Sequence, residues 1–495
     1  MAEVRTRKDV LKLDEWDPIL LWYARAVAEM QNQPLNSPRG WRYQSAIHDY
    51  VRSRDPYASA SDTLPSNAEQ QRFWRQCQHN SWFFLPWHRM YLGFFEQIVA
   101  ATVRQLGGPE DWALPYWNYS DVENPDAARL PTAFRALSLP DGSDNPLRVE
   151  RRAPGANDGD VIADEFDVDL VTCLTEESFI STALGGDPGF GGRRTIFNHS
   201  GGEVGDLERI PHGSMHVAVG GFNVGGWMSA FDTAALDPVF WLHHCNIDRL
   251  WTVWLRRDPT HLNPTEAQWL TTISFEFHDA NGEIISMSPS QVIDTTAPPL
   301  LYEYEDVSDP FAAPPDPMAK PVRRPRMKDR PIPEMVGATD QPLTLTGEPA
   351  TANLPVNPPT GPALSPAAES ATPPRRVYLN IENITSEGQS GSYSVYLNLP
   401  PGADPADHRE LYAGLLPMFG VAESTDATRE HAGNGLHYTL EITDVVRALE
   451  AKNAWNPDEM RVTFVPKGMR AAGPSTAAAA PSSPVQVGRI SLYYS

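Results

Sequence analysis

The sequence predicts a mainly helical protein with a second, all-β domain at its C-terminal end. The chain has 495 residues, roughly three times the ~150 residues of a common single domain, so at least two folded units are expected. Residues 1–308 are rich in tryptophan and carry apolar residues at helical spacing. Residues 376–495 contain short runs that alternate with β-branched or aromatic residues, a pattern typical of strands. A proline-rich segment, 309–375, separates the two parts and is predicted to be a linker.

The first domain is predicted to contain long apolar helices. These helices are expected over residues 16–30, about 87–106 and about 238–255. Asp17 is placed to cap the first helix, and Pro18 suits its first turn. The segment from about 136 to 210 is rich in Gly, Asp and Pro and is predicted to be mostly loop.

The linker and the last domain have distinct compositions. Seventeen prolines fall within 309–375, and KPVRRPRMKDR forms a basic run at 320–330, so an extended connection is expected. After residue 376, five or more alternating runs predict a small β-sandwich. The low-complexity stretch at 471–484 is predicted to be a loop.

Composition excludes several classes of function. The formal charge of −23, from 40 basic and 63 acidic residues, argues against nucleic acid or an anionic membrane as a partner. No apolar run reaches the ~18 residues of a membrane-spanning helix. Three cysteines, Cys77, Cys173 and Cys245, cannot form the even disulfide framework of a small secreted protein. The N-terminal residues lack the pattern of a secretion signal, so a cytoplasmic location is expected.

Histidines are concentrated in the helical part. They include His48, His79, His88, His199, His212, His216, His243 and His244. His212 and His216 are four residues apart, so on a helix both imidazoles project from one face. His79 and His88 bracket an aromatic segment, and His243 and His244 form a second pair close to Asp248. With His212 and His216 these make six neutral imidazoles, which in two groups of three indicate two metal ions and suit copper better than magnesium or calcium. Zinc stays open on ligand type alone.

Two longer motifs around these histidines resemble a known family. CQHNSWFFLPWHRMYLGFFEQ is similar to the copper A signature of tyrosinases, catechol oxidases and molluscan haemocyanins. IPHGSMH followed by DPVFWLHHCNIDRLW is similar to their copper B signature. The resemblance covers about residues 5–306 and implies a helical dicopper domain with a four-helix-bundle core.

The resemblance also implies which histidines hold the metals. Copper A is expected on His48, His79 and His88, and copper B on His212, His216 and His244. His244 is chosen over His243 because the family's ligand precedes an Asp by four residues, which fits Asp248. His243 and Asp248 are then expected to lie next to the ligands and position them without binding the metals.

Cys77 stands two residues before His79, as in fungal tyrosinases and molluscan haemocyanins, where the cysteine is thioether-linked to the histidine. The resemblance therefore implies a Cys77–His79 thioether that fixes the imidazole. The alternative is a small buried thiol, the usual fate of a free cysteine.

The reaction implied by the resemblance is the oxidation of o-diphenols to o-quinones by O2, with the two copper ions taking up the electrons. Glu208 matches the family's Glu that holds a water for deprotonating a phenol. The family's assisting Asn is replaced by Gly213, which argues against strong hydroxylation of monophenols. Phe231 lies where plant enzymes place an aromatic gate over copper A. The sequence does not separate diphenols from o-aminophenols.

The last domain contains, in order, VYLNIENI, VYLNLPPG, YAGLLPMFG, TLEITDVV, VTFVP and GRISLYY, and this series is similar to the β-sandwich that shields the copper site of latent plant polyphenol oxidases. A proenzyme is implied, in which the loop 411–420 places Leu416 or Phe419 in the substrate slot. The basic run at 320–330 is then a candidate site for an activating protease. A haemocyanin-like O2 carrier and a two-zinc protein are the alternatives. The carrier is disfavoured because haemocyanins are repeated arrays and this chain contains one unit.

Overall fold

The computed structural model describes residues 3–182, 185–221, 224–311, 332–356, 376–429, 432–452, 455–456, 460–467 and 483–495. The basic run at 320–330 and most of the low-complexity stretch lie outside these residues. The predictions made for those two segments therefore stay predictions.

The first domain is helical, as predicted. Its helices are α1 (Pro18–Gln31), α2 (Trp41–Ala46), α3 (Asn67–Phe73), α4 (Phe84–Gln105), α5 (Val171–Thr175), α6 (Ser214–Gly220), α7 (Phe231–Ala234) and α8 (Val239–Arg257). Asp17 caps α1 by accepting a hydrogen bond from the Ile19 N–H at 2.8 Å, and Pro18 opens the helix. Within the described residues, no helix combines the length and apolar character that a membrane crossing requires.

Helices α1, α4 and α8 pack together around an aromatic core. Trp87, Trp241 and Trp251 are fully buried there, each burying a large apolar area that stabilises the domain. Helices α2, α4, α6 and α8 carry or adjoin the histidines of the two signatures, which confirms the predicted helical core. In the described part of 136–210 the chain is mostly loop, with α5 and the short strand β2 (Gly202–Glu203) as exceptions.

Four further short strands border the helical domain. They are β1 (Arg5–Arg7), β3 (Phe275–His278), β4 (Ile284–Met287) and β5 (Tyr302–Tyr304). Strand β1 pairs in parallel with β5, and β3 pairs antiparallel with β4. The first pair ties the two ends of the helical domain together.

The second domain is a sandwich of two sheets. Its strands are β6 (Glu334–Ala338), β7 (Leu343–Leu345), β8 (Ala350–Asn353), β9 (Val377–Thr385), β10 (Tyr393–Leu397), β11 (Tyr412–Leu416), β12 (Leu436–Glu441), β13 (Arg461–Pro466) and β14 (Val485–Tyr494). One sheet has the order β11-β10-β13-β8, and the other has the order β12-β9-β14-β6 with β7 also beside β14. Two helices, α9 (Val421–Thr425) and α10 (Thr443–Ala451), connect strands.

The predicted start of this domain at residue 376 is too late. Strands β6, β7 and β8 lie inside the segment 309–375 but pair with β14 and β13. Val336 and Leu345 are buried in the sandwich core with the later strands. These strands are short and stand among prolines and glycines, so their alternation is too brief to distinguish from a linker.

A strand pair joins the two domains. Strand β2 of the helical domain pairs in parallel with β12, with Gly202 opposite Leu436 and Glu203 opposite His437. The second sheet therefore extends from the sandwich into the loop that precedes the second histidine signature.

Candidate metal centre

Two groups of buried side chains meet in the middle of the helical domain. The first group contains His48, Cys77, His79 and His88, and the second contains His212, His216, His243 and His244. Within each group the candidate ligand atoms lie within 4.8 Å of one another. The rings of His88 and His244 stack at 4.5 Å between centroids, so the two groups are adjacent.

Loops and helices contribute differently to the two groups. In the first, His48 follows the end of α2 and His79 lies in the loop before α4, while His88 lies on α4. In the second, His212 and His216 project from consecutive turns of helical backbone at the start of α6, and His244 lies on α8.

Backbone carbonyls fix the orientation of most of these rings. The Nδ1 atoms of His48, His88, His212 and His216 lie 2.8, 2.9, 3.0 and 2.7 Å from the carbonyl oxygens of Phe231, Phe84, Glu208 and Met228. Since a carbonyl accepts, each Nδ1 carries the proton and donates it. The Nε2 lone pairs are then left for another partner, as in metal-binding histidines.

Several ring nitrogens have no partner among the described residues. They are Nε2 of His48, His79, His212 and His243 and Nδ1 of His244. A buried polar atom without a hydrogen bond costs about 1–3 kcal/mol, so a cluster of such atoms calls for a ligand. Burial lowers the pKa of His48 to about 4 and that of His212 to about 3, so both imidazoles are neutral and able to bind a metal. The residues present therefore fit two ions that prefer imidazole.

His243 and His244 both reach the second group, but in different ways. His244 Nε2 lies 3.4 Å from His216 Nε2, and its ring also stacks on His88 of the first group. His243 Nδ1 faces the Tyr119 hydroxyl at 3.0 Å. The contact of His244 with both groups favours it as the ligand, with Tyr119 orienting its neighbour.

Asp248 does not have the role predicted for it. Its carboxylate accepts hydrogen bonds from the Tyr302 and Tyr304 hydroxyls, both at 2.6 Å, and pairs with Arg89 at 2.5 Å and Arg7 at 3.6 Å. It therefore anchors α8 to α4 and to the β1–β5 pair. These partners are far away in the sequence, so spacing alone could not identify them.

Cys77 lies beside His79, as predicted. Its Sγ is 3.6 Å from His79 Nδ1 and 3.9 Å from His88 Nε2, and the side chain is fully buried. The thiol is therefore placed next to the imidazole to which the predicted thioether would join it.

Glu208 connects the two groups. Its side-chain oxygens accept the Asn80 backbone N–H at 2.9 and 3.0 Å, and its own carbonyl holds His212. Burial raises the pKa of Glu208 to about 8, although the Asn80 N–H opposes that rise. A buried carboxyl with so high a pKa beside a reactive centre suits proton transfer.

Two phenylalanines cover the histidines. The Phe231 ring stacks on His79 at 4.1 Å, and the Phe419 ring stacks on His216 at 3.8 Å with an interplanar angle of 10°. Phe419 belongs to the C-terminal domain and packs with Phe231 and Val217 in a small apolar cluster. Leu416, the other candidate for this position, is buried in the core of the sandwich instead.

Gly213 lies under the same loop. A Cβ at this position would be 3.3 Å from the Cβ of Pro417. The C-terminal domain therefore closes over the backbone position at which the family's Asn is missing.

Comparisons with known proteins agree with this geometry. A family described as the common central domain of tyrosinase matches residues 38–257, and a family described as a domain of unknown function matches residues 332–495. The tyrosinase HcTyr1 of Hahella sp. is 32% identical over 502 residues, which cover 99% of each protein. The latent chloroplastic polyphenol oxidase of Prunus armeniaca is 29% identical over 307 residues, 60% of this chain and 48% of that protein. The structure of latent apple tyrosinase aligns at 23% identity with a TM-score of 0.62, over 100% of this chain and 98% of that chain, so the two share a fold.

Proposed function

The chain belongs to the tyrosinase family of copper oxidoreductases, and we propose that it is a latent oxidase converting o-diphenols to o-quinones with O2. The observation that carries this proposal is the Phe419 ring, which stacks on His216 above the two histidine groups. A phenol ring of similar size has the shape and the apolar surface to take its place.

The proposed ligand sets are the six histidines that the family resemblance implies, and all six lie in the two buried groups. Copper A would be held by His48, His79 and His88, and copper B by His212, His216 and His244. When bound, the copper pair supplies O2 binding and the acceptor for two electrons of the diphenol. The protein supplies neutral imidazoles, fixed ring orientations and a water-poor slot.

The slot selects for a flat apolar ring. Val217 and Phe231, the partners of Phe419 in the buried cluster, would contact the substrate once Phe419 leaves. Phe231 also holds His48 through its carbonyl, so the aromatic wall and a metal ligand are positioned by one residue.

Proton transfer is assigned to Glu208. Its buried carboxyl accepts a hydrogen bond from the Asn80 N–H, and Glu208 is the first residue of the helical turn that carries His212. As a base it would remove the hydroxyl proton of a monophenol. Gly213 offers no side chain to assist that step, so diphenol oxidation is the activity that the residues support best.

Latency is assigned to the C-terminal domain. The domain is held by the β2–β12 strand pair and by ion pairs such as Lys467–Asp167 at 2.6 Å and Arg409–Glu165 at 2.6 Å. Cleavage in the connection between the domains would release it and uncover the slot.

The test is oxygen uptake by the copper-loaded protein with 4-methylcatechol and with p-cresol, before and after limited trypsin digestion. The proposal predicts a large rise in catechol turnover after cleavage and slow uptake with p-cresol. Reversible O2 binding without turnover of either phenol after cleavage would instead indicate an O2 carrier.

A further inference from the structure

A second contact connects the C-terminal domain to the histidines, separate from that of Phe419. Arg429 Nη1 lies 2.6 Å from one carboxylate oxygen of Asp49. The other oxygen of Asp49 is 3.9 Å from His199 Nε2, an ion-pair distance rather than a hydrogen bond. His199 Nδ1 is 2.9 Å from the Cys77 carbonyl oxygen. The contacts form a chain that begins in the sandwich and ends at the loop that carries His79.

Two members of this chain of contacts adjoin copper A ligands. Asp49 directly follows His48, and Cys77 stands two residues before His79. These two ligands come from separate loops, since only His88 of the first group lies on a helix. The His199–Asp49 contact therefore connects the two loops, while the neighbouring Asn198 Nδ2 donates to the His79 carbonyl at 2.7 Å.

The chain is shielded from solvent at its centre. His199 and Asp49 are 6% and 7% exposed, so their interaction is weakly screened. Because the Cys77 carbonyl accepts, His199 donates from Nδ1, and its Nε2 is turned towards the carboxylate. A histidine hydrogen-bonded at Nδ1, with Nε2 facing a buried carboxylate, is a spacer between the loops.

We propose that His199 is a positioning residue for copper A and that Arg429 of the C-terminal domain strengthens it through Asp49. This inference rests on the assignment of copper to the first histidine group. Release of the C-terminal domain then has two effects. It uncovers copper B by removing Phe419, and it loosens copper A by removing Arg429 from Asp49.

The first test replaces His199 in the full-length, copper-loaded protein. His199→Phe removes the donor to the Cys77 carbonyl, and one of the two coppers should pass to a Cu(I) chelator about tenfold faster, from the loss of one buried hydrogen bond. His199→Asn retains an N–H donor close to the Nδ1 position and should restore most of the retention. The readout is copper stoichiometry against time, which does not depend on turnover.

His261→Phe is the matched control. His261 is also buried and its Nδ1 also binds a carbonyl, that of Trp254 at 2.7 Å, but it is in neither histidine group. This control should keep both coppers at the wild-type rate. Equal loss from the two Phe variants, or no loss from His199→Phe, would overturn the proposal.

The second test separates copper retention from docking and avoids a buried substitution. Arg429→Gln and Arg409→Gln each remove one ion pair between the domains, with Asp49 and with Glu165 respectively. Arg429→Gln should speed the loss of one copper about threefold, and Arg409→Gln should leave it unchanged. Equal rates in the two variants would show that Arg429 acts on docking alone.

The outcomes also distinguish this inference from the proposed function. A wild-type protein that retains two coppers but does not oxidise catechol after cleavage contradicts the oxidase and leaves the positioning test valid. If His199→Phe retains both coppers and is an active oxidase, the positioning role of His199 is contradicted and the proposed function is not.

Discussion

The two histidine groups are equally buried but are built in different ways. The second group is set by helical backbone, since His212 and His216 are one turn apart and His244 lies on α8. The first group depends on loops for His48 and His79, and His199, distant in sequence from both, contacts these loops at Asp49 and at the Cys77 carbonyl. The C-terminal domain contacts the second group through the Phe419 ring, which stacks on His216. It reaches the first group through the ion pair between Arg429 and Asp49, the residue that follows His48. The comparison teaches that the same ligand type can be positioned by helical repeat or by long-range contacts.

The largest effect on copper content and turnover should come from replacing His244, with the neighbouring His243 as the comparison. His244→Ala should lose copper B and more than about 100-fold of the catechol turnover, since it removes a metal ligand. His243→Ala should retain two coppers, because the ligand is assigned to His244, whose ring also stacks on His88 of the first group. Copper content and oxygen uptake of the cleaved proteins check both results, and the reverse pattern would assign the ligand to His243.

Glu208→Gln tests the proton-transfer assignment. The Gln amide oxygen can still accept the Asn80 N–H, so the fold of this turn should be retained. Loss of the base should slow p-cresol hydroxylation about 100-fold while catechol oxidation changes little. A parallel fall in both rates would mean that the carboxylate is needed to hold the histidines rather than to move a proton.

Gly213→Asn is the complementary variant, expected to increase hydroxylation of a monophenol. In the cleaved protein it should raise the rate with p-cresol relative to that with 4-methylcatechol, because it supplies the family's missing side chain. In the full-length protein the new side chain should press on Pro417 and weaken the docking of the C-terminal domain. An unchanged ratio of the two rates would remove Gly213 from the account of substrate preference.

Cys77 belongs to the loop-built group, and its predicted thioether would rigidify that group. The copper-loaded protein should be lighter by two hydrogen atoms than its sequence, and one thiol should resist alkylation after unfolding. Peptide mass spectrometry of the fragment containing Cys77 and His79 measures this directly. A mass equal to that calculated from the sequence, together with three reactive thiols, would show that Cys77 is a buried thiol.

The smallest effect concerns pH and the strand pair between the domains. Burial raises the pKa of Glu203 to about 7, although Thr439 and Arg193 lower it, and separation of the domains would return it towards its ordinary value of 4.5. The docked state holds the proton more tightly, so this contribution to docking is present at acid pH and is lost as pH rises through 7. Uncleaved protein should therefore show more catechol turnover at pH 8 than at pH 5.5, relative to the cleaved protein. Glu203→Gln should flatten that difference.

The sequence was sufficient for the second group and for the two-domain fold. The spacing of His212 and His216 is a local pattern that a helix converts directly into geometry, and His244 was chosen over His243 by resemblance. His48 had little motif around it and was placed by resemblance, and the structure brings it to His79 and His88.

Long-range contacts were the part that the sequence could not give. His199 has no local motif, and its partners Asp49 and Cys77 are more than a hundred residues away. The choice between Leu416 and Phe419 depended on where strand β11 ends, since Leu416 is its last residue and lies in the sandwich core, whereas Phe419 lies beyond it. Strands β6 to β8 were missed because they are short and flanked by prolines.

The most direct test of the central claim is the catechol-dependent oxygen uptake of uncleaved, copper-loaded Phe419→Ala protein. If Phe419 occupies the substrate slot, its truncation should raise turnover at least about tenfold over the uncleaved wild type, since the removed ring would otherwise have to be displaced by the substrate. Leu416→Ala should lower the melting temperature without a comparable rise, because Leu416 lies in the sandwich core. An uncleaved Phe419→Ala protein that stays inactive, while the cleaved wild type is active, would contradict the assignment of Phe419 as the residue that closes the site.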